Sequence, residues 1–176
     1  MSKVFYDQIA DALVGFLPPA LRDFRSRSGF QTLKVWYGEE GAEHYEVQLI
    51  GKAALAAGGI RAARGPMLEI GFHAEHPEAT ANDAALQTLM RRERTWRKTL
   101  GHQPQPGPFA GHQKQWRRLS ELWDEDGIGT EEAAIEAAER LASYIEAFEP
   151  LRARGEPLRA PRAKDETPRA TKRPPG

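Results

Sequence analysis

The 176-residue sequence contains no cysteine. That excludes a disulfide framework, thiolate-bound zinc, iron–sulfur clusters and a cysteine nucleophile. No apolar run approaches the roughly 18–20 residues of a membrane-spanning helix, so no membrane partner is expected. The segment MSKVFYDQIADAL carries aspartates inside its apolar periodicity and does not read as a signal peptide. Catalytic signatures are missing too. There is no P-loop, no GxGxxG after a strand and no GxSxG elbow, and Ser2, Ser26, Ser28, Ser120 and Ser143 have no base in their sequence neighbourhood. No catalytic residue and no cofactor is assigned on these grounds. A soluble cytoplasmic protein is the expectation.

Net charge is also absent, with 25 basic and 25 acidic residues, but the balance is uneven along the chain. From Leu151 onward Arg152, Arg154, Arg159, Arg162, Lys164, Arg169, Lys172 and Arg173 face only Glu156, Asp165 and Glu166, a net +5. Residues 1–150 therefore carry −5. The C-terminal stretch is also rich in proline and has only two leucines as large apolar residues. Such a composition cannot offset the entropy of ordering itself. The expected organisation is one domain over 1–150 and a disordered basic tail over 151–176.

Within the domain, Phe5, Ile9, Leu13 and Phe16, with Ala12 and Leu17 beside them, recur near a period of 3.6 and predict a helix that Pro18-Pro19 stops. Residues 20–30 read as irregular. Thr32–Tyr37 and His44–Ile50 then alternate with a period of two around a five-residue, glycine-flanked loop, which reads as a hairpin. Pairing Tyr37 with Glu43 sets Trp36 opposite His44, Val35 opposite Tyr45, Lys34 opposite Glu46 and Leu33 opposite Val47, a register that matches apolar and opposite-charge partners together. Met67–His73 gives a third strand with Leu68, Ile70 and Phe72 inward and Glu69 and His73 outward. Its register against the second strand is not derivable. Residues 51–66 read as a mobile excursion with a helical turn at Lys52–Ala57, too poor in large apolar residues for a core element. A single helix is expected from about Ala81 to Leu100, ended by Gly101. Residues 102–114 read as loop, and Gln115–Trp123 leans to an edge strand over a short helix. A final helix is capped by Thr130, with Ile135, Ala138, Leu141, Ala142, Ile145 and Phe148 as its stripe.

Strands in succession with helices before and after predict an α+β fold, an antiparallel sheet of three to five strands with helices on one face. The other face, being polar, is expected to be solvated. This order of elements over residues 4–150 resembles the type III secretion chaperones and the related YbjN-like proteins. The resemblance implies an acidic, dimeric module that binds unfolded segments of protein partners. A second likeness, to a domain attached to some restriction-type nucleases, is carried by Leu68-Glu69-Ile70-Gly71-Phe72-His73, Asn82 and Leu100-Gly101.

Three groups of residues could carry function. Trp36, His44 and Glu46, joined by Glu69 and His73 if the third strand pairs with the second, would make a binding platform of imidazoles, carboxylates and an aromatic floor on the outer sheet face. Arg91, Arg94 and Lys98, sharing a helix face, together with Arg117 and Arg118, could contact phosphates alongside the basic tail. His73-Ala74-Glu75-His76-Pro77-Glu78 has metal-ligating types, but lacks the spacing of a helical HExxH motif. A strand sets His73 and Glu75 on one side and His76 on the other, so the segment reads as a polar strand end and no metal is assigned. The leading expectation is a non-enzymatic protein-binding or adaptor module, whose partner is another protein or a second copy. A nucleic-acid accessory protein and a small enzyme using a His/Glu site on the sheet face are the alternatives.

Overall fold

A computed structural model of the chain describes residues 2–57, 59, 65–108, 115–124 and 128–153. Its sheet has six strands, β1 (Arg25–Ser28), β2 (Thr32–Trp36), β3 (Glu43–Ile50), β4 (Met67–Ala74), β5 (Gln105–Pro108) and β6 (Arg117–Trp123). They are ordered β1-β2-β3-β4-β6-β5 and every neighbouring pair is antiparallel. The helices are α1 (Lys3–Phe16), α2 (Lys52–Ala57), α3 (Ala79–Met90), α4 (Glu93–Leu100) and α5 (Glu131–Ala153). The α+β layout stands as expected, with more strands than the three to five read from sequence.

Alternation builds the apolar face. Leu33 and Val35, Tyr45 and Val47, Leu68, Ile70 and Phe72, and Leu119 point the same way and are buried under α1, α3, α4 and α5. The α5 helix is the keystone: Phe148 meets Phe72, Trp96 and Tyr144 edge to face, at centroid separations of 6.4, 5.7 and 5.5 Å. The buried acid on this face, Glu121, receives two bonds from Arg140 (3.0 and 2.6 Å) and one each from Tyr144 and Trp123. Thr130 caps α5, its hydroxyl accepting from the Ala133 amide at 3.1 Å.

Several expectations shift. Phe16 and Ile135 are exposed, Leu17 is buried as expected, and Tyr6, Ala134, Ala137 and Tyr144 join the core. Two edge strands, β1 and β5, lie where the chain reads as irregular. RSRS and QPGP bury little side chain, so no alternation announces them. Gln115–Trp123 does hold a strand, β6, but an inner one between β4 and β5.

The helix expected over 81–100 breaks at Arg91–Arg92. The Leu89 carbonyl, which an unbroken helix would give to the Glu93 amide, accepts instead from the Arg92 amide (2.9 Å) and the Trp96 indole (3.0 Å). The break lets Leu89 and Trp96 both reach the core, while Glu93 pairs with Arg97 at 2.7 Å. Gly101, at φ +74°, ends α4 in a conformation that side chains disfavour.

The C-terminal boundary moves as well. The α5 helix runs through Pro150 to Ala153, so residues 151–153 belong to the domain. Arg152 is the reason: it pairs with Glu43 at 3.2 Å and with Glu149, and its guanidinium lies 5.0 Å from the Phe72 ring centroid. These contacts offset the helix bond that Pro150 cannot make. The remainder of the expected tail lies outside the described residues.

Candidate metal centre on the outer sheet face

On the face of the sheet turned away from the four long helices the central polar side chains are buried, contrary to expectation. Glu69 and His73 are 0 % exposed, Glu46 3 % and His44 4 %. At one end α2 lies across it, Leu55 burying against Ile50 with Met67 and Leu122 alongside. Leu55 thereby makes a small second core from a segment read as core-poor. Residues 58 and 60–64 of that segment lie outside the described residues.

Strand register brings the site together. On β2, β3, β4 and β6 the outward positions are Thr32, Lys34 and Trp36; His44, Glu46 and Gln48; Glu69, Gly71 and His73; and Arg118 and Ser120. Pairing sets His44 beside His73, Gln48 beside Glu69, and Arg118 on the far side of His73. The hairpin register is the one read from sequence, with Val35, Lys34 and Leu33 opposite Tyr45, Glu46 and Val47. Glu46 sits across from Gly71, which has no side chain, and so its carboxylate has room to lean between the two imidazoles. Gly71 is required for a second reason: a Cβ there would lie 2.5 Å from the Leu119 carbonyl oxygen and the Ser120 Cα. Glu75, just beyond β4, continues the alternation onto the same face.

Four donors converge. His44 Nε2 and His73 Nδ1 each lie 3.1 Å from Glu46 Oε2. The same two nitrogens lie 3.7 and 3.6 Å from Glu75 Oε1, and all four atoms fall within 4.8 Å of one another. Bonds of about 2.0–2.2 Å to a tetrahedral zinc ion place its ligands about 3.3–3.6 Å apart. The observed near edges of 3.1–3.7 Å span that spacing.

The atoms of these residues that face away from the centre are held in turn. Thr32 Oγ1 donates to Glu46 Oε1 at 2.5 Å and Lys34 Nζ to Glu75 Oε2 at 2.8 Å. His73 Nε2 faces Glu69 Oε2 at 3.4 Å. Glu69 itself accepts from Gln48 (2.7 Å) and Ser120 (2.5 Å), and Arg118 stands 3.4 Å away. A carboxylate behind a histidine ligand, itself hydrogen-bonded, is the outer-shell arrangement that fixes tautomer and ring orientation in metal sites.

Electrostatics follow from the grouping. Burial works against ionising Glu46, yet hydrogen bonds from His44 and His73 outweigh it and hold the carboxyl well below its usual range. Glu69 is likewise buried and still held low, chiefly by the charge of His73, with Arg118 and Ser120 adding to it. Glu75 is lowered against its burial by His73, His44 and Lys34. For His73, burial alone would strip the proton, but Glu69, Glu46 and Glu75 together raise the imidazole well above its usual value. Three buried or half-buried carboxylates thus face three positive charges, those of Lys34, Arg118 and the His73 imidazolium.

All five residues expected on the sheet face, Trp36, His44, Glu46, Glu69 and His73, lie on one surface. Glu75, read from sequence only as part of a polar strand end, completes the donor set. Its place on the face follows from extending the alternation of β4 by two residues past His73. Thr32, Gln48 and Ser120 carry no sequence signal, because small hydroxyl and amide side chains give none until register is known. His76 turns to the other side and pairs with Glu43 at 3.2 Å.

The basic group separates. Arg91 ends α3 while Arg94 and Lys98 sit one turn apart on α4, so the shared face of a continuous helix is lost. Arg117 and Arg118 project from opposite faces of β6: Arg117 pairs with Asp83 at 2.7 Å and Arg118 joins the carboxylate cluster.

No family model, curated protein or solved structure matches the chain. The chemistry of the centre therefore rests on its own atoms.

Proposed function

We propose that this chain is a divalent transition-metal protein whose centre is formed by His44, Glu46, His73 and Glu75. The observation that carries the reading is the convergence of two imidazole nitrogens and two carboxylate oxygens in a buried site, with the outward atoms of Glu46, Glu75 and His73 each facing a partner. A mixed nitrogen and oxygen set suits zinc, manganese(II) or iron(II). Burying three carboxylates is costly unless cations compensate them, and a divalent ion supplies that compensation where the metal-free chain uses a proton. The centre uses the His/Glu site on the outer sheet face that the small-enzyme alternative invokes, with a metal added and no reaction assigned. The adaptor and nucleic-acid readings draw on no comparable convergence of side chains. Among the described residues no helix is long and apolar enough to cross a membrane.

The test is uptake by chelator-treated protein. Isothermal titration with zinc or manganese is expected to give one ion per chain and a raised melting temperature. A ligand present at about a hundred times its Kd adds about 2.7 kcal/mol. Glu46→Gln should weaken uptake sharply, while His76→Gln, close to the site in sequence but on the other face, should leave it intact. A chain that retains neither ion and melts at the same temperature with and without them contradicts the proposal.

A further inference from the structure

Resting on that metal reading, we propose that the loaded centre adds a fifth, exchangeable ligand beyond its four protein donors, on the side opening on the pocket beside it, and that this ligand is a small oxyanion such as a carboxylate. Two of the four donors, His44 and Glu75, also line a pocket of about 190 Å³ with Arg27, Lys34, Trp36 and Glu40. Whatever fills this space adjoins the ion. Its volume lies below the roughly 300–1,000 Å³ of sites for drug-sized ligands, which restricts the occupant to a few heavy atoms.

Charge selects the sign of the ligand. Metal ligation requires neutral imidazoles. Glu46, Glu69 and Glu75 then contribute three negative charges against Lys34, Arg118 and a divalent ion. One positive charge is left uncompensated in a water-poor site, where isolated charge is costly. A monoanion cancels it. Arg27, on the pocket wall, has its own partner in Glu40 at 2.7 Å and leaves this balance unchanged.

A donor is also present. Trp36 is 8 % exposed and lines the pocket, and its indole Nε1 has no acceptor among the described residues. Indole nitrogen is a donor only, and buried tryptophan normally finds an acceptor. An oxyanion with one oxygen toward the metal has a second with which to accept a hydrogen bond. The pocket thus combines a Lewis-acidic neighbour, one uncancelled positive charge and an unsatisfied N–H.

Cobalt(II) loaded into the full chain reports on this directly, because its visible absorption responds to a change of ligand. Titration with sodium acetate at constant ionic strength, set by sodium perchlorate, is expected to shift the cobalt bands saturably in the roughly millimolar range. Trp36→Phe should still bind one cobalt ion but hold acetate about tenfold more weakly, the effect of one lost hydrogen bond. Cobalt that loads with a spectrum unmoved by acetate overturns the exchangeable ligand and leaves the metal reading standing. Equal acetate affinity in the Trp36→Phe protein overturns the pocket as the place where the anion sits. Failure to take up cobalt at all removes the metal reading, and this inference with it.

Discussion

The two faces of the sheet each bury a central cluster, and the two clusters are built oppositely. Under the helices, Leu33, Val35, Tyr45, Val47, Ile70, Phe72 and Leu119 make an apolar core into which Glu121 is admitted only with four hydrogen bonds. On the other face, Glu46, Glu69, His44 and His73 are as inaccessible as that core, yet the contacts joining them are ionic. Apolar burial is favourable by itself, at roughly 25 cal/mol per Å². Buried ion pairs are often no better for stability than well-packed hydrophobic residues. The helix face is accordingly assigned to holding the fold, and the outer face to holding a ligand.

Substitution on the helix face should break the fold and spare the chemistry of whatever remains folded. Phe148→Ala removes the ring that meets Phe72, Trp96 and Tyr144. It is expected to cost about 3–5 kcal/mol, measured by denaturant unfolding, with one metal ion still bound per folded chain.

Gly71→Ala tests the seam between the faces. Its Cβ meets β6 backbone at 2.5 Å, so β4 and β6 must part. A loss of about 1–3 kcal/mol is expected, accompanied by weaker metal binding because His73 rides on β4.

Substitution on the outer face should do the reverse of Phe148→Ala. Glu69→Gln keeps the shape behind His73 and removes the charge. Metal affinity is expected to fall about 10–100-fold, with a smaller effect on unfolding of the metal-free chain than Phe148→Ala. Equal losses in stability from the two substitutions would erase the distinction between the faces.

The mildest probe is pH, applied to the metal-free chain. Glu46, Glu69 and Glu75 titrate below the usual 4.5 when folded, so their contribution is present above that value and lost as pH falls through the folded ones. His73 titrates above the usual 6.5, so its contribution is complete below 6.5 and lost as pH rises through the folded value. Unfolding free energy should therefore be greatest between these limits and decline on both sides. A metal-free chain whose stability climbs steadily from 6.5 upward would show that His73 is not held as an imidazolium.

The faces also differ in how far they are legible in the sequence. The helix face is readable because apolar periodicity and burial coincide there. The α1 stripe, the hairpin register and most of the α5 stripe follow from it. Misreadings on that side have local causes: Ile135 and Phe16 keep the periodicity yet lie at the rim of their helices' buried sides, and the Trp96 indole rewires the turn at Arg91–Arg92. The edge strands β1 and β5 bury almost nothing and leave no pattern. On the outer face periodicity misleads, since a polar residue at every second position reads as water-facing whether water reaches it or not. Alternation alone puts His44 and Glu46 on one face of the hairpin and Glu69 and His73 on one face of β4, and joins the two pairs only once β4 is known to lie beside β3. Their convergence depends on the register of β4 against β3 and β6, and no local signal encodes that. Complementary charge is the only trace: three acids, two imidazoles, Lys34 and Arg118 alternating onto one surface.

X-ray absorption at the zinc edge, on the full chain loaded with one equivalent, examines the centre most directly. A first shell of nitrogen and oxygen at about 2.0–2.2 Å, with outer scattering from two imidazole rings that drops to one ring in His44→Gln, is the predicted result. A shell of water-like oxygen with no imidazole scattering would contradict it.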